Sequence, residues 1–144
     1  MPRARFISAI RSAIGKPYRW GGQGPDAFDC SGLVVWGLRE AGYDIKDTSA
    51  AGLAETLKAG TCTMSKAQAG DLFFYESPIS HVMVCLERWS NGMTILAGAR
   101  GGGITTKTVA DATKRAAFVD VTFGNYWSNS RTKIIDPFKV LGGC

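Results

Sequence analysis

Residues 29–42 read DCSGLVVWGLREAG, and this stretch decides the fold. Leu33, Val34, Gly37, Leu38 and Ala41 recur at helical spacing. Asp29 stands where a side chain can cap a helix N-terminus, and Gly42 supplies a stop, so the stretch predicts a helix that begins at Cys30. A cysteine in the first turn of a helix meets the positive end of the helix dipole, which favours a thiolate. Cys30 is therefore the first candidate nucleophile in the chain.

Upstream, residues 18–28 carry Gly21, Gly22, Gly24 and Pro25 and read as a loop in which the backbone turns tightly or approaches a ligand. Before that loop, residues 3–14 place Phe6, Ile7, Ile10 and Ile14 on one helical stripe, ended by Gly15 and Pro17. Downstream, residues 49–58 predict a second helix after Cys30, with Ala51, Leu53, Ala54 and Leu57 apolar. The texture then changes to strands: 71–75, 81–89 with Val82, Val84 and Leu86 alternating, a turn at Asn91-Gly92, and the return strand 93–99. A glycine loop follows at 101–103, and 116–123 and 132–138 supply further strands. Helices first and strands afterwards predict an α+β fold. No repeat or linker divides the chain, so residues 1–144 are expected to form a single domain, with Gly142-Gly143-Cys144 a loose end.

A chain of 144 residues with 45% hydrophobic content can bury a continuous core without disulfides or metal. Its net charge of +5 favours an anionic partner. The basic residues are scattered (Arg3, Arg5, Arg11, Lys16 and Arg19, then Lys107, Lys114, Arg115, Arg131, Lys133 and Lys139), with no basic run interleaved with aromatics, which argues against nucleic acid. No window approaches the roughly 18 consecutive apolar residues of a membrane span. Arg11 interrupts the N-terminal apolar residues before a signal-peptide core forms, so no secretion signal is expected and free thiols are. Cys30, Cys62, Cys85 and Cys144 form no C-x-x-C pair, and one histidine cannot complete a zinc site; neither metal nor cofactor is expected.

That one histidine, His81, opens a predicted strand and is the only imidazole available as a base for Cys30. For an arbitrary cysteine and histidine, a core thiol and a satisfied imidazole would be the simpler account. Local context decides otherwise.

The context is YRWGG at 18–22, DCSGLV at 29–34, AGDLFFY at 69–75 and SHVMV at 80–84. Together these motifs resemble the NlpC/P60 family of cell-wall cysteine peptidases, over residues 3–99. The resemblance implies a papain-like α+β core, with N-terminal helices packed on a central antiparallel sheet. It implies Cys30 as nucleophile and His81 as general base, and Tyr18 as a hydroxyl near the nucleophile that donates to the oxyanion beside the Cys30 N–H. Asp29 and Ser31 match positions that bind the free amine of a stem peptide, while Trp20, Gly21 and Gly22 look like one wall of the cleft. Asp29 as a plain helix cap, and Tyr18 and Trp20 as packed aromatics, remain open readings. Asp71 is expected to set up a turn, and Cys85 to pack as a small apolar residue.

One feature departs from the family pattern. The family usually carries a His, Asn or Gln on the strand after the histidine to orient its ring, and here that strand reads MTILAGA. Thr94 is its only side chain able to hydrogen-bond, and Asn91, Gln68 and Asn125 are the other amides near in sequence.

By resemblance the substrate is the stem peptide of peptidoglycan, cut between D-γ-glutamate and a diamino acid. A compact chain without a secretion signal is by analogy a phage lysin or a tail-associated enzyme with phage tail proteins as partners, made in the cytoplasm and acting at the cell wall. The alternatives are an inactive member that binds peptidoglycan or serves as a tail structural protein, and a thiol-based acyl transferase on another substrate.

Overall fold

The computed structural model describes residues 1–123 and 132–142. Its chain order is α1 (Pro2–Ala13), α2 (Cys30–Glu40), α3 (Ala50–Leu57), β1 (Thr61–Cys62), β2 (Leu72–Tyr75), β3 (His81–Arg88), β4 (Thr94–Arg100), α4 (Val109–Arg115), β5 (Phe118–Phe123), β6 (Lys133–Ile135) and α5 (Pro137–Leu141). The expected α+β class holds. The strands form one sheet of order β1-β6-β2-β3-β4-β5 in which every pairing is antiparallel.

α2 starts where the sequence requires. The Asp29 carboxylate accepts the Gly32 N–H at 2.6 Å, capping the helix, and Leu33, Val34, Val35 and Leu38 are buried. Gly32 is also a contact point, since a Cβ there would collide with the Gly22 carbonyl oxygen. The loop and the helix thus meet backbone to backbone. In α1, Phe6 and Ile10 are buried as the stripe predicts, but Ala13 takes the last inward position and Ile14 lies beyond the helix, 41% exposed.

The sheet carries apolar side chains on both faces. Leu72, Phe74, Val82, Val84, Leu86, Ala97, Ala99 and Val119 pack against the helices. On the opposite face Phe73, Tyr75, Met83, Cys85, Leu96 and Ile134 form a second cluster with Ala67, so β3 is buried on both sides rather than on alternate residues. Cys85 packs as expected.

α1 is tied to this sheet by charge. Arg3 donates to Asp136 at 2.7 Å and to Asp71 at 3.3 Å, and Asp71 also accepts the Gln68 N–H at 2.9 Å, which is the turn its position predicted. The Asn91-Gly92 turn is formed as well, with Asn91 accepting the Met93 N–H at 3.0 Å.

Three elements were not legible: β1, α4 and α5. The strand expected over 132–138 shortens to Lys133–Ile135, because Asp136 caps the next helix and Pro137 is its first residue. Asn125, Arg131, Gly143 and Cys144 lie outside the described residues.

Candidate active site

The site forms where the N-terminus of α2 meets the start of β3. Capping by Asp29 orients the first turn of α2, and antiparallel pairing with β2 sets His81 opposite Tyr75. Cys30, His81 and Tyr18 then line one cleft of about 320 Å³ together with Trp20, Tyr75, Glu76, Ser80 and the segment from Ala99 to Gly103. A second hollow of about 340 Å³ continues from Cys30 on the helix side, lined by Gly21, Asp29, Ser31 and residues 47–50. Tyr18, Trp20, Cys30 and Ser80 border both, so the groove runs across the thiol.

The Cys30 thiol is largely buried, and burial pushes it up to about 11. The backbone amides of Val82, Ser31 and Cys30 itself pull the other way, while the nearby Asp29 carboxylate adds to the rise. His81 is shifted in the opposite sense: burial lowers it to about 4, with Glu76 and Asp120 favouring the charged ring and Arg100 opposing it. At neutral pH the resting pair is a thiol and a neutral imidazole. The dipole argument for a preformed thiolate is outweighed by desolvation.

Tyr18 is 6% exposed, and its hydroxyl is raised to about 12, first by burial, then by the charges of Cys30 and Asp29 against the opposing Arg115. It stays protonated and remains a hydrogen-bond donor. Its ring lies against the glycine loop, where a Cβ on Gly102 would strike it. Arg115 holds that loop by donating to the Gly101 carbonyl at 3.2 Å.

Asp29 serves more than the helix. Besides Gly32, it accepts the Gly21 N–H at 3.1 Å and the Ser31 hydroxyl at 3.3 Å, and burial lifts its carboxyl above the usual range against those donors. Asp29, Ser31 and Gly21 border the helix-side hollow, and Trp20, 51% exposed, stands over both halves of the groove. Gly22 does not line the groove. It is buried behind it, accepting the Asp29 N–H at 3.0 Å, because the loop turns back on the helix there.

The structure adds residues that sequence reading missed. Ser80, Glu76, Arg100 and the glycines 101–103 form the strand-side wall, and Asp47, Thr48 and Ser49 the far rim of the helix side. The triple glycine was the only visible signal. Among the orienting candidates, Thr94 pairs with Arg88 at the opposite end of β4 and is remote from His81. At the ring itself, His81 Nε2 lies 3.2 Å from Met83 Sδ.

Comparison with known proteins fits this geometry. The sequence pattern of the NlpC/P60 family matches residues 15–134. The chain belongs to the NlpC/P60 family. The match begins after α1 and runs on into β6, further toward the C-terminus than the motifs alone reach. A probable endopeptidase of Corynebacterium glutamicum is 44% identical over 78 residues, covering 54% of this chain and 35% of that protein. The probable endopeptidase p60 of Listeria grayi is 34% identical over 124 residues, covering 85% of this chain and 20% of that protein. The chain thus spans about a third or less of the curated relatives it matches. Among solved structures, the NlpC/p60 domain of the peptidoglycan hydrolase SagA is 28% identical, with a TM-score of 0.61 over 92% of this chain and 97% of that one. The P60 domain of an antigen of M. avium subspecies paratuberculosis, at 24% identity, shares the fold with a TM-score of 0.66 over 99% and 96% of the two chains. The papain-like α+β architecture of this NlpC/P60 chain is therefore established.

Proposed function

We propose that this chain is a catalytic domain that hydrolyses a peptide bond in the stem peptide of bacterial peptidoglycan, with Cys30 as nucleophile and His81 as general base. The observation that carries the reading is the convergence of Cys30, His81 and Tyr18 on one groove that runs across the thiol. The relatives named as endopeptidases and the SagA hydrolase domain support the reaction class.

Because both partners rest uncharged, the thiol proton passes to His81 as the sulfur attacks the scissile carbonyl. The oxyanion that forms is met by the Tyr18 hydroxyl and the Cys30 N–H. The imidazolium returns its proton to the departing amine as the carbon–nitrogen bond breaks, leaving a thioester on Cys30. Water then attacks the thioester, His81 takes its proton, and the acid leaves with the thiol restored.

The helix-side hollow, with Asp29 and Ser31, suits the free amine of the stem peptide, and with the amine there the diamino acid lies on the strand side. The bond cut is then the one between D-γ-glutamate and the diamino acid. The net charge of +5 helps retain the protein on an anionic wall. Digestion of purified diaminopimelate-type peptidoglycan, read by mass spectrometry, is expected to release fragments whose masses place the break at that bond. Fragments broken elsewhere would correct the specificity, and binding without any release would favour an inactive, wall-binding protein.

A further inference from the structure

An imidazole that acts as a base must present one nitrogen with a lone pair, so the other nitrogen needs a partner that fixes the tautomer and the ring plane. In β3, His81 and Met83 are two residues apart and share a face of the sheet. The pairing of Val84 with Ala97 sets Met83 across from Gly98 on β4. Both are buried, and a Cβ on Gly98 would collide with the Met83 sulfur. The methionine side chain therefore occupies the space that any side chain at position 98 would claim, and its sulfur ends 3.2 Å from His81 Nε2.

We propose that Met83 is a positioning residue for the His81 ring, its thioether accepting from Nε2–H, and that Gly98 is what gives it room. A thioether has lone pairs and no hydrogen to give, so the contact favours the tautomer with the proton on Nε2 and the lone pair on Nδ1. The sulfur is held by packing rather than by a polar network, since Met83 is fully buried beside Phe73, Tyr75, Cys85 and Leu96. The contact comes from β3, the strand that carries His81 itself. The inference rests on His81 acting as the base.

The chain contains a single histidine, so ¹⁵N-histidine NMR reads this ring without assignment and without any catalytic assay. The wild type is expected to show the Nε2–H tautomer at neutral pH. Met83→Leu, similar in volume but without an acceptor, is expected to raise the Nδ1–H fraction and to lower kcat about threefold to tenfold, the range spanned by one neutral hydrogen bond, with KM unchanged. Met83→Gln places an amide acceptor at the same reach and is expected to restore both the tautomer and kcat. A wild-type spectrum dominated by Nδ1–H overturns the proposal even if no variant folds. An unchanged tautomer and kcat in Met83→Leu, or a Gln variant as slow as the Leu variant in a folded protein, also overturns it and leaves Met83 as packing. If wild type cuts no peptidoglycan, the reading of His81 as base fails separately, while the spectra still report whether the sulfur holds the ring.

Discussion

Cys30 and His81 face the same groove but are held by two different kinds of structure. The nucleophile's surroundings are local: Asp29 caps its own helix, and two of the three backbone amides that favour its thiolate belong to Cys30 and Ser31. The base's surroundings are assembled across strands: Tyr75 from β2, Met83 from its own strand, Arg100 from β4 and Asp120 from β5, with Arg100 donating to Asp120 at 2.6 Å. A locally built half survives small shifts of the sheet, because its geometry is set within a few residues of one helix turn. A half built across strands depends on register, and one slipped residue would turn His81 to the other face.

On the side assembled across strands, the comparison is broken at the base. His81→Ala leaves no imidazole in the chain, and hydrolysis of peptidoglycan is expected to fall about 10²- to 10⁴-fold with the fold intact by circular dichroism. A smaller loss at the oxyanion side follows from Tyr18→Phe. Removing the hydroxyl while keeping the ring against Gly102 is expected to lower kcat roughly 10- to 100-fold with little change in KM, measured on a stem peptide.

pH separates the two halves. His81 is lowered to about 4 by burial, so the acid limb of kcat/KM is expected near pH 4 rather than near the ordinary 6.5. The sign for stability follows from the same shift. The unfolded chain binds a proton at this residue below pH 6.5 and the folded chain does not until about pH 4. The contribution of His81 to stability is present above pH 6.5 and is lost as pH falls through that window, an effect of about 3 kcal/mol. His81→Phe, followed by urea unfolding at pH 7 and pH 4.5, is expected to flatten that slope.

The smallest effect belongs to the helix cap. Asp29→Ala is expected to cost about 1 kcal/mol of stability by urea unfolding, and Asp29→Ser to restore most of it. A Ser variant that regains stability but not the KM for a stem peptide would separate the cap from amine recognition. One that regains both would reduce Asp29 to a cap.

The same division explains what was legible in the sequence. The helix from Cys30, its cap, and the glycine turns around it are written in neighbouring residues, as are the Asn91-Gly92 turn and the strands 72–75 and 81–88. The strand-side wall was not, because Arg100 and Gly101–Gly103 reach His81 only through sheet register, and Glu76 and Ser80, although near it in the chain, join the wall only once β2 and β3 pair. Met83 reads as an ordinary strand apolar residue until Gly98 is seen beneath it. Gly22 is expected in the cleft wall with Trp20 and Gly21 because a glycine lets substrate backbone lie close, yet its carbonyl accepts the Asp29 amide instead. α5 was hidden because Asp136-Pro137 interrupts an apolar run that otherwise reads as one strand. The preformed thiolate that a helix N-terminus suggests was overruled by burial, a property no local pattern records.

The most direct test of the account is the rate at which Cys30→Ala cuts a stem peptide that wild type cuts, followed by liquid chromatography and mass spectrometry. The account predicts a loss on the order of 10⁵-fold or more, with peptide binding retained. Cleavage by Cys30→Ala at a rate near that of wild type would contradict it.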